Sequence, residues 1–261
     1  MRAVDVDRAE AAPVRRGVPA WVVAAVVLTA IALRAWILAS PIGRADADEA
    51  VVGLMARSFL DGHFTVFFWA QSYGGSIEPA LVAALFAVGG TSTIALKIVP
   101  MLLSGAAAVL VWRVGRRTVG EPSATAAGLL FLVYPPAFLW WSTKERGFYW
   151  VALVLGLAVL LAALRIRDAA PDPRAADVVA LGFFAGLAWW TTPQSMYLVA
   201  PVLGWLVARH HRSWRKCWPA VPAACLGALP WLEWNLRRGF PSLDEPSPWV
   251  TSTYPDRKSV V

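Results

Sequence analysis

Three carboxylates follow the first apolar run of the chain within four residues: Asp46, Asp48 and Glu49. Acids near a low-dielectric boundary, and near one another, tend to have raised pKa values, which suits a general base working near neutral pH. Such a base could activate an acceptor hydroxyl or amine. Helix capping is the alternative interpretation, because Asp48 stands where an N-cap is favoured and Glu49 falls in the first turn.

Two later stretches offer groups for the same chemistry. The segment "QSYGGSIEP" predicts a tight turn at Tyr73 that returns Glu78 toward the first acids. The segment "WWSTKERGFYW" contains Lys144, Glu145 and Arg146, whose cations could hold a phosphate group. A plain turn and ordinary solvated surface charges are the alternatives for these two stretches.

The helix that must position the first acids is visible as a periodic pattern in residues 49–61. Val51, Val52, Met55 and Phe59 recur at spacings of three and four, so they share one side of a helix. A short helix with one apolar side is expected to lie along a membrane interface.

The composition indicates that these elements lie in or beside a membrane. Hydrophobic residues make up 58% of the chain and 15 residues are Trp, well above an ordinary soluble domain. Repeated apolar runs predict an all-α polytopic membrane protein. The net charge of +7 could suggest nucleic acid, but the basic residues form short clusters between apolar runs, without an aromatic-basic stripe. We therefore expect membrane lipids and no nucleic acid as partners.

The apolar runs predict about seven transmembrane helices. The first run, residues 20–39, has roughly the 20-residue length of a span and is favoured as an uncleaved anchor, because a signal peptide needs only about 7 to 15 apolar residues. The further predicted spans are residues 94–112, 124–141, 148–164, 178–190, 195–208 and 217–232. Cys217 and Cys225 fall in the last of these runs, about 12 Å apart on a helix, and cannot form a disulfide.

The orientation depends on residues 79–90, which are apolar but too short for an ideal span. If they do not cross, ten Lys and Arg residues in three loops all lie in the cytoplasm, as the positive-inside rule favours. The prediction is a cytoplasmic N-terminal tail over residues 1–19 and a transmembrane domain over residues 20–240. Residues 40–93 then form an external loop with juxtamembrane amphipathic helices, and residues 241–261 form an external polar tail.

Small residues in "GLLFLVYPP" and "LGFFAGLAWW" would permit close helix packing. Such packing could occur within one bundle or between two chains.

The order of these features resembles the N-terminal half of the GT-C glycosyltransferases. It comprises a first span, the "DE" pair at Asp48 and Glu49, an interfacial helix, the "EP" of Glu78, a second short helix ending in "GG", and a span from "ALKIVP" to "GRR". The segment "LPWLEWNLRRGFP" extends the resemblance to about residue 240. The closest branch is that of the protein mannosyltransferases and aminoarabinose transferases, with the RgtA/B/C/D-like bacterial proteins.

The resemblance implies a multi-pass cell-membrane enzyme whose active face is external. Such an enzyme transfers a sugar, with inversion, from a polyprenyl-phosphate donor to a glycan, lipid or protein acceptor of the cell envelope. It makes Asp48 the general base and Glu49 the residue that orients the acceptor or supports the helix. The implied substrate-binding residues are Asp46, Tyr73, Glu78, Lys144, Glu145 and Arg146, with the two cations holding the lipid phosphate. No cofactor is implied beyond a divalent ion in some branches, and no spacing here demands one.

Three alternatives stand beside this interpretation. The chain ends at Val261, before the further spans usual in the family, so a truncated or non-catalytic relative that binds carrier lipid is one. A transporter is less favoured, because Arg34 and Lys97 are expected to snorkel toward the external ends of their spans rather than sit at the midplane. Haem or metal redox chemistry is disfavoured because His63, His210 and His211 are the only histidines.

Overall fold

The computed structural model describes residues 17–210 and 216–244. These residues form twelve α-helices and no β-strand, which confirms the predicted all-α class. The helices are α1 (Ala20–Ala39), α2 (Ala47–Leu60), α3 (Ile77–Gly89), α4 (Thr93–Thr118), α5 (Glu121–Val133), α6 (Pro136–Trp141), α7 (Tyr149–Asp168), α8 (Ala175–Thr191), α9 (Met196–His210), α10 (Ala220–Gly227), α11 (Leu229–Leu236) and α12 (Pro241–Asp244). Most of the predicted N-terminal tail, His211 and the polar tail from residue 245 lie outside the described residues.

Three of the described helices, α1, α4 and α7, are long and apolar enough to cross a membrane. The shorter apolar helices α3, α5 and α8 fall below that length. The chain is thus a membrane protein by the length and composition of its helices. The seven-span topology and its orientation remain predictions.

Two of the predicted spans are each divided into two helices. The run 124–141 forms α5 and α6, because Pro135 and Pro136 lack the N–H groups that would continue the helical ladder. The run 217–232 forms α10 and α11, which meet at Ala228. Cys217 precedes α10 and Cys225 lies within it, so the placement of both cysteines on one helix is wrong.

The apolar side predicted for α2 is confirmed. Val52, Met55 and Phe59 are buried, and they form one cluster with Val82 and Phe86 of α3. Because α3 begins at Ile77, this packing carries Glu78 to the side of the bundle where α2 begins. The two short helices therefore act as a paired support for the acids at their N-termini.

The N-cap of α2 differs from the prediction. The carboxylate of Asp46 accepts the Glu49 backbone N–H at 3.3 Å, and the Glu49 carboxylate accepts the Asp46 N–H at 3.2 Å. This reciprocal arrangement is a capping box, and the helix accordingly begins at Ala47. The assignment of Asp48 as N-cap is wrong, because Asp48 lies inside the first turn.

The core of the bundle is centred on α7. Val159 and Ala163 of this helix are fully buried and belong to one cluster with Val178 of α8 and Val199 of α9. Because α7 is packed in the core, it fixes the positions of the loops that precede and follow it.

Helices α8 and α10 pack within the bundle, backbone against backbone. A Cβ atom added at Gly182 would lie 2.0 Å from the Ala220 carbonyl oxygen, and one at Gly186 would lie 2.0 Å from the Ala224 oxygen. On the facing helix, a Cβ at Gly227 would lie 2.2 Å from the Phe183 oxygen. The small residues of "LGFFAGLAWW" thus serve contact inside one chain.

Helix α1 lies at the edge of the bundle and is joined to it through Arg34. This side chain is buried and donates to the carbonyl oxygens of Ala30 and Leu132 and to the Ser104 hydroxyl. The Leu132 carbonyl is available because Pro136, four residues later, has no N–H to offer it. The snorkelling predicted for Arg34 is wrong, since its guanidinium finds neutral acceptors inside the bundle.

Candidate functional site

Eight charged side chains meet where α2, α3, α4 and the loop before α7 come together. This charged cluster consists of Asp46, Asp48, Glu49, Glu78, Lys97, Lys144, Glu145 and Arg146. All the charged residues predicted from the sequence are members. Lys97 is the one member that the prediction missed.

Glu49 is the centre of the charged cluster and is fully buried. The Lys97 ammonium donates to its Oε1, and the Lys144 ammonium lies 3.0 Å from its Oε2. Each lysine also reaches a carbonyl oxygen, since Lys97 donates to Thr143 at 3.2 Å and Lys144 donates to Arg44. Multiple hydrogen bonds of this kind are what a buried ion pair requires to offset its desolvation. The network therefore ties α2, α4 and the 142–148 loop together.

The lysine at position 97 is also buried, so the snorkelling predicted for it is wrong. Lys97 stays inside the bundle because the fully buried Glu49 carboxylate offers it an opposite charge there. A sequence signal did exist, because Lys97 interrupts the apolar "TIALKIVP" at the start of α4. A lone cation near the end of a span indicates either the interface or a buried partner.

Arg146 organises the acids at the exposed edge of the charged cluster. Its two terminal nitrogens bind both carboxylate oxygens of Asp46, at 3.2 and 2.9 Å, in a bidentate pair. The same guanidinium donates to the Asp48 carboxylate at 2.6 Å. Burial would raise the pKa of Asp46, but the Glu49 N–H, the Arg146 guanidinium and Lys144 together lower it. Asp46 is accordingly an anchor for Arg146 rather than a proton acceptor.

Asp48 differs from the other acids in its access to solvent. Its side chain is 68% exposed, compared with 37% for Asp46 and none for Glu49. It is thus the acid of the described cluster that an incoming substrate can reach most directly.

Glu78 and Glu145 form a buried pair on the inner side of the charged cluster. None of their four side-chain oxygens has a donor in good hydrogen-bond geometry among the described residues, although the Arg146 backbone N–H lies close enough to the Glu78 carboxyl to lower its pKa. Burial raises the pKa of both groups, and the nearby charge of Glu78 raises the pKa of Glu145 further, well above its usual value. One proton held between the two carboxyl groups would supply the missing donor. The predicted return of Glu78 toward the other acids is therefore seen, with Glu145 as its immediate neighbour.

The turn predicted at Tyr73 is present. Phe67 and Gly75 form an isolated antiparallel bridge, and the Gly75 N–H donates to the Thr191 carbonyl oxygen at 2.8 Å. The Tyr73 ring lies edge-on to Phe148, with ring centroids 6.5 Å apart. Tyr73 thus contacts Phe148, the aromatic residue that ends the 142–148 loop, and its role in substrate binding remains a prediction.

Carboxylates grouped in this way could also bind a metal ion. No three or more His, Cys, Asp or Glu side chains among the described residues are arranged to hold a metal ion. The carboxylates of Asp46 and Asp48 are bound by Arg146, and that of Glu49 is bound by two lysines. The donor set present here fits cation side chains rather than a metal centre.

Comparison with known proteins gives one match. A family model described as dolichyl-phosphate-mannose-protein mannosyltransferase matches residues 77–234, which is more than half of the chain. The matched range contains Glu78, Lys97 and the 142–148 loop, and it begins after Asp46, Asp48 and Glu49. Searches of curated proteins and of solved structures gave no match.

Proposed function

We propose that this chain, which belongs to the dolichyl-phosphate-mannose-protein mannosyltransferase family, transfers a sugar from a polyprenyl-phosphate donor to an acceptor at the outer face of the membrane. Its family makes it a membrane glycosyltransferase of the GT-C type. The observation that carries the finer proposal is the exposed Asp48 carboxylate, held at 2.6 Å by an arginine that is itself locked onto Asp46.

In the proposed reaction Asp48 acts as the general base. It takes the proton of an acceptor hydroxyl while that oxygen forms a bond to the anomeric carbon of the donor sugar. The bond from this carbon to the phosphate oxygen breaks on the opposite face, and its electron pair leaves with the polyprenyl phosphate. Attack opposite to the leaving group inverts the anomeric carbon.

Arg146 is the better candidate of the two predicted cations for holding the leaving phosphate. Its side chain is 18% exposed at the edge of the charged cluster, whereas Lys144 is 3% exposed and enclosed by Glu49 and Asp46. A guanidinium offers five donors in a planar fork, so Arg146 can keep its carboxylate partners and still present an N–H to a phosphate oxygen. Lys144 then acts from within, by holding Glu49 and the loop in place.

A groove of about 910 Å³ between α1, α4 and α5 supports a lipid-linked donor. Its walls are mostly aliphatic, with Val27, Ile31, Leu102 and Leu129 among the lining residues. Such a surface is compatible with a polyprenyl tail, which has no polar groups to satisfy.

The outer-face assignment is supported by the charges on α4. Lys97 of the charged cluster and Arg117 are twenty residues apart on this helix, which is about 30 Å and close to the thickness of the hydrocarbon core. Arg116 and Arg117 in the last turn of α4 are of the kind that the positive-inside rule places in the cytoplasm. The charged cluster would then face outward.

The test of the proposed base is Asp48→Asn, compared with Asp61→Asn at the exposed end of the same helix. Transfer of radiolabelled sugar from membrane polyprenyl-phosphate pools is measured at matched expression and folding. Removing a general base typically costs about 10² to 10⁴ in rate. We expect a loss of that size for Asp48→Asn and near wild-type transfer for Asp61→Asn.

Two results would overturn this assignment. Equal activity of Asp48→Asn and wild type would show that Asp48 is not the base. Absence of transfer by folded wild-type protein, with every polyprenyl-phosphate sugar supplied, would contradict the donor class itself.

A further inference from the structure

A second cavity lies beside the charged cluster but includes none of its members. This loop cleft, with a volume of about 460 Å³, is lined by residues 64–71 together with Glu233, Trp234, Arg237 and Arg238. One wall is the loop that follows α2, and the other is the end of α11. The two walls are joined by the edge-on contact of Phe67 with Trp234, whose ring centroids are 4.9 Å apart.

The lining of the loop cleft combines aromatic rings with charged groups. Phe64 is 74% exposed and Trp69 is 39% exposed, although both are large apolar side chains. Glu233 and Arg237 form an ion pair of 2.7 Å, and the Arg238 guanidinium lies over the Trp234 ring. Rings can bind the apolar C–H face of a sugar, while carboxylate and guanidinium groups bind its hydroxyls.

The loop wall carries further signs of a site that accepts polar ligands. Thr65 Oγ1 and Gln71 Oε1 have no hydrogen-bond partner among the described residues, and an unpaired polar atom shielded from water is costly. Ala70, between Trp69 and Gln71, has a φ of 62°, which is unusual for a residue other than glycine. Backbone outliers of this kind occur preferentially at ligand sites.

The loop cleft and the charged cluster are neighbours across a layer of aromatic rings. Phe68 lines the cleft, and its ring lies edge-on to Phe148 at a centroid distance of 6.3 Å. Gly147, directly after Arg146, abuts the same Phe68 ring, since an added Cβ would lie 2.7 Å from it. A ligand in the loop cleft would therefore contact one side of the Phe68 ring, while the segment that bears Arg146 packs against the same ring.

We infer that the loop cleft is a carbohydrate subsite, which binds a sugar residue of the acceptor glycan while the donor sugar is at the charged cluster. This inference rests on the proposed function for its place in the reaction, but not for the binding itself. Glu233 neutralises Arg237, and the Arg238 guanidinium lies over the Trp234 ring, so the cleft offers a sugar carboxylate oxygens, guanidinium N–H groups and aromatic faces. The acceptor would thus be a glycan that reaches Asp48 from the α11 side.

The test separates binding from turnover. Purified full-length protein in nanodiscs is titrated with maltotriose, mannotriose and chitotriose, with tryptophan fluorescence and saturation-transfer NMR as readouts. Trp69→Ala removes an exposed ring of the loop cleft, and Trp21→Ala, at an exposed position on α1, is the matched control. We expect Trp69→Ala and Glu233→Gln to weaken binding of the preferred trisaccharide by about tenfold, the loss of a single good contact. Trp21→Ala should bind it as wild type does.

The outcomes distinguish this inference from the proposed function. Binding that depends on Trp69, without any sugar transfer, would support the subsite and contradict the proposed reaction. Binding of none of the three trisaccharides, or binding unchanged by Trp69→Ala and Glu233→Gln, would overturn the subsite. A third outcome is that polyprenyl phosphate in the nanodisc, and none of the trisaccharides, protects Trp69 from a fluorescence quencher. That outcome would assign the cleft to the donor lipid and would equally overturn the subsite.

Discussion

The ion pairs at the two ends of α4 and α7 differ in their burial. At the charged cluster, Lys97 and Glu49 are almost completely shielded from water, and Lys144 joins them. At the other end, Arg117 pairs with Asp168 at 2.6 Å, with both side chains about one-third exposed. Exposed pairs contribute roughly 0 to 1 kcal/mol, whereas removing one partner of a buried pair costs about 3 to 5 kcal/mol. The comparison shows that burial, more than the number of charges, distinguishes the candidate site.

The largest effect is expected for Glu49→Gln. This change leaves the buried ammonium groups of Lys97 and Lys144 without their shared carboxylate, so the free energy of unfolding should fall by about 3 to 5 kcal/mol. The matched control is Arg117→Gln at the exposed end of α4, which should cost less than about 1 kcal/mol. Denaturation in detergent, followed by tryptophan fluorescence, measures both. Equal losses for the two variants would remove the distinction between the two ends.

A smaller effect, on turnover, is expected for Arg146→Lys. Lysine keeps the positive charge but cannot bind both oxygens of Asp46 and also hold Asp48, because the planar fork is lost. Misplacement of a catalytic group by about 1 Å can reduce the rate 100-fold, so we expect kcat to fall between about tenfold and 100-fold. Arg57→Lys, at an exposed position on α2, serves as the control. A wild-type kcat in Arg146→Lys would show that the positive charge alone is sufficient.

The last effect, the smallest over a single pH unit, concerns the pair of Glu78 and Glu145. Because the pKa of Glu145 is raised in the folded state, the folded chain binds more protons than the unfolded chain above the ordinary glutamate value of about 4.3. The resulting stability is fully present below that value and is lost as pH rises toward the raised pKa, by up to about 1.4 kcal/mol per pH unit. Glu145→Gln should flatten this decline.

The control for the pH experiment is Glu121→Gln at the exposed end of α4 and α5, where the carboxylate pairs with Arg116. Unfolding free energies are compared across the range from pH 5 to 8, in which maximal stability usually falls. A decline in Glu145→Gln that is as steep as in the wild type would show that the buried pair does not hold the proton.

The sequence was sufficient for every member of the charged cluster except Lys97, but not for the pairing of its charges. Acids after the first apolar run and cations before α7 could be assigned to one face because topology brings the ends of neighbouring helices together. Which acid caps α2 could not be read, because Asp46 and Asp48 are equally good N-cap residues and only the start of the helix distinguishes them. The partner of Lys97 was equally hidden, since it is 48 residues away in the chain.

The broken spans are a different kind of error. Pro135 and Pro136 are a clear interruption in the sequence. The run was nevertheless predicted as one span, because the apolar residues on both sides together reach the length of a span. Within α10 and α11, Pro230 lies at the second position of the later helix, where proline is well tolerated. The apolar pattern therefore located the apolar helices but not their internal breaks.

The glycine contact between α8 and α10 has a consequence for how the molecule can move. Two backbones in direct contact leave no space for a side chain between them, so the separation of these two helices is set by their main chains. The loop of the cleft is fastened to it through the Gly75 N–H on Thr191, and α11 continues directly from α10. We therefore expect a rearrangement that admits a substrate to occur in the parts around this helix pair.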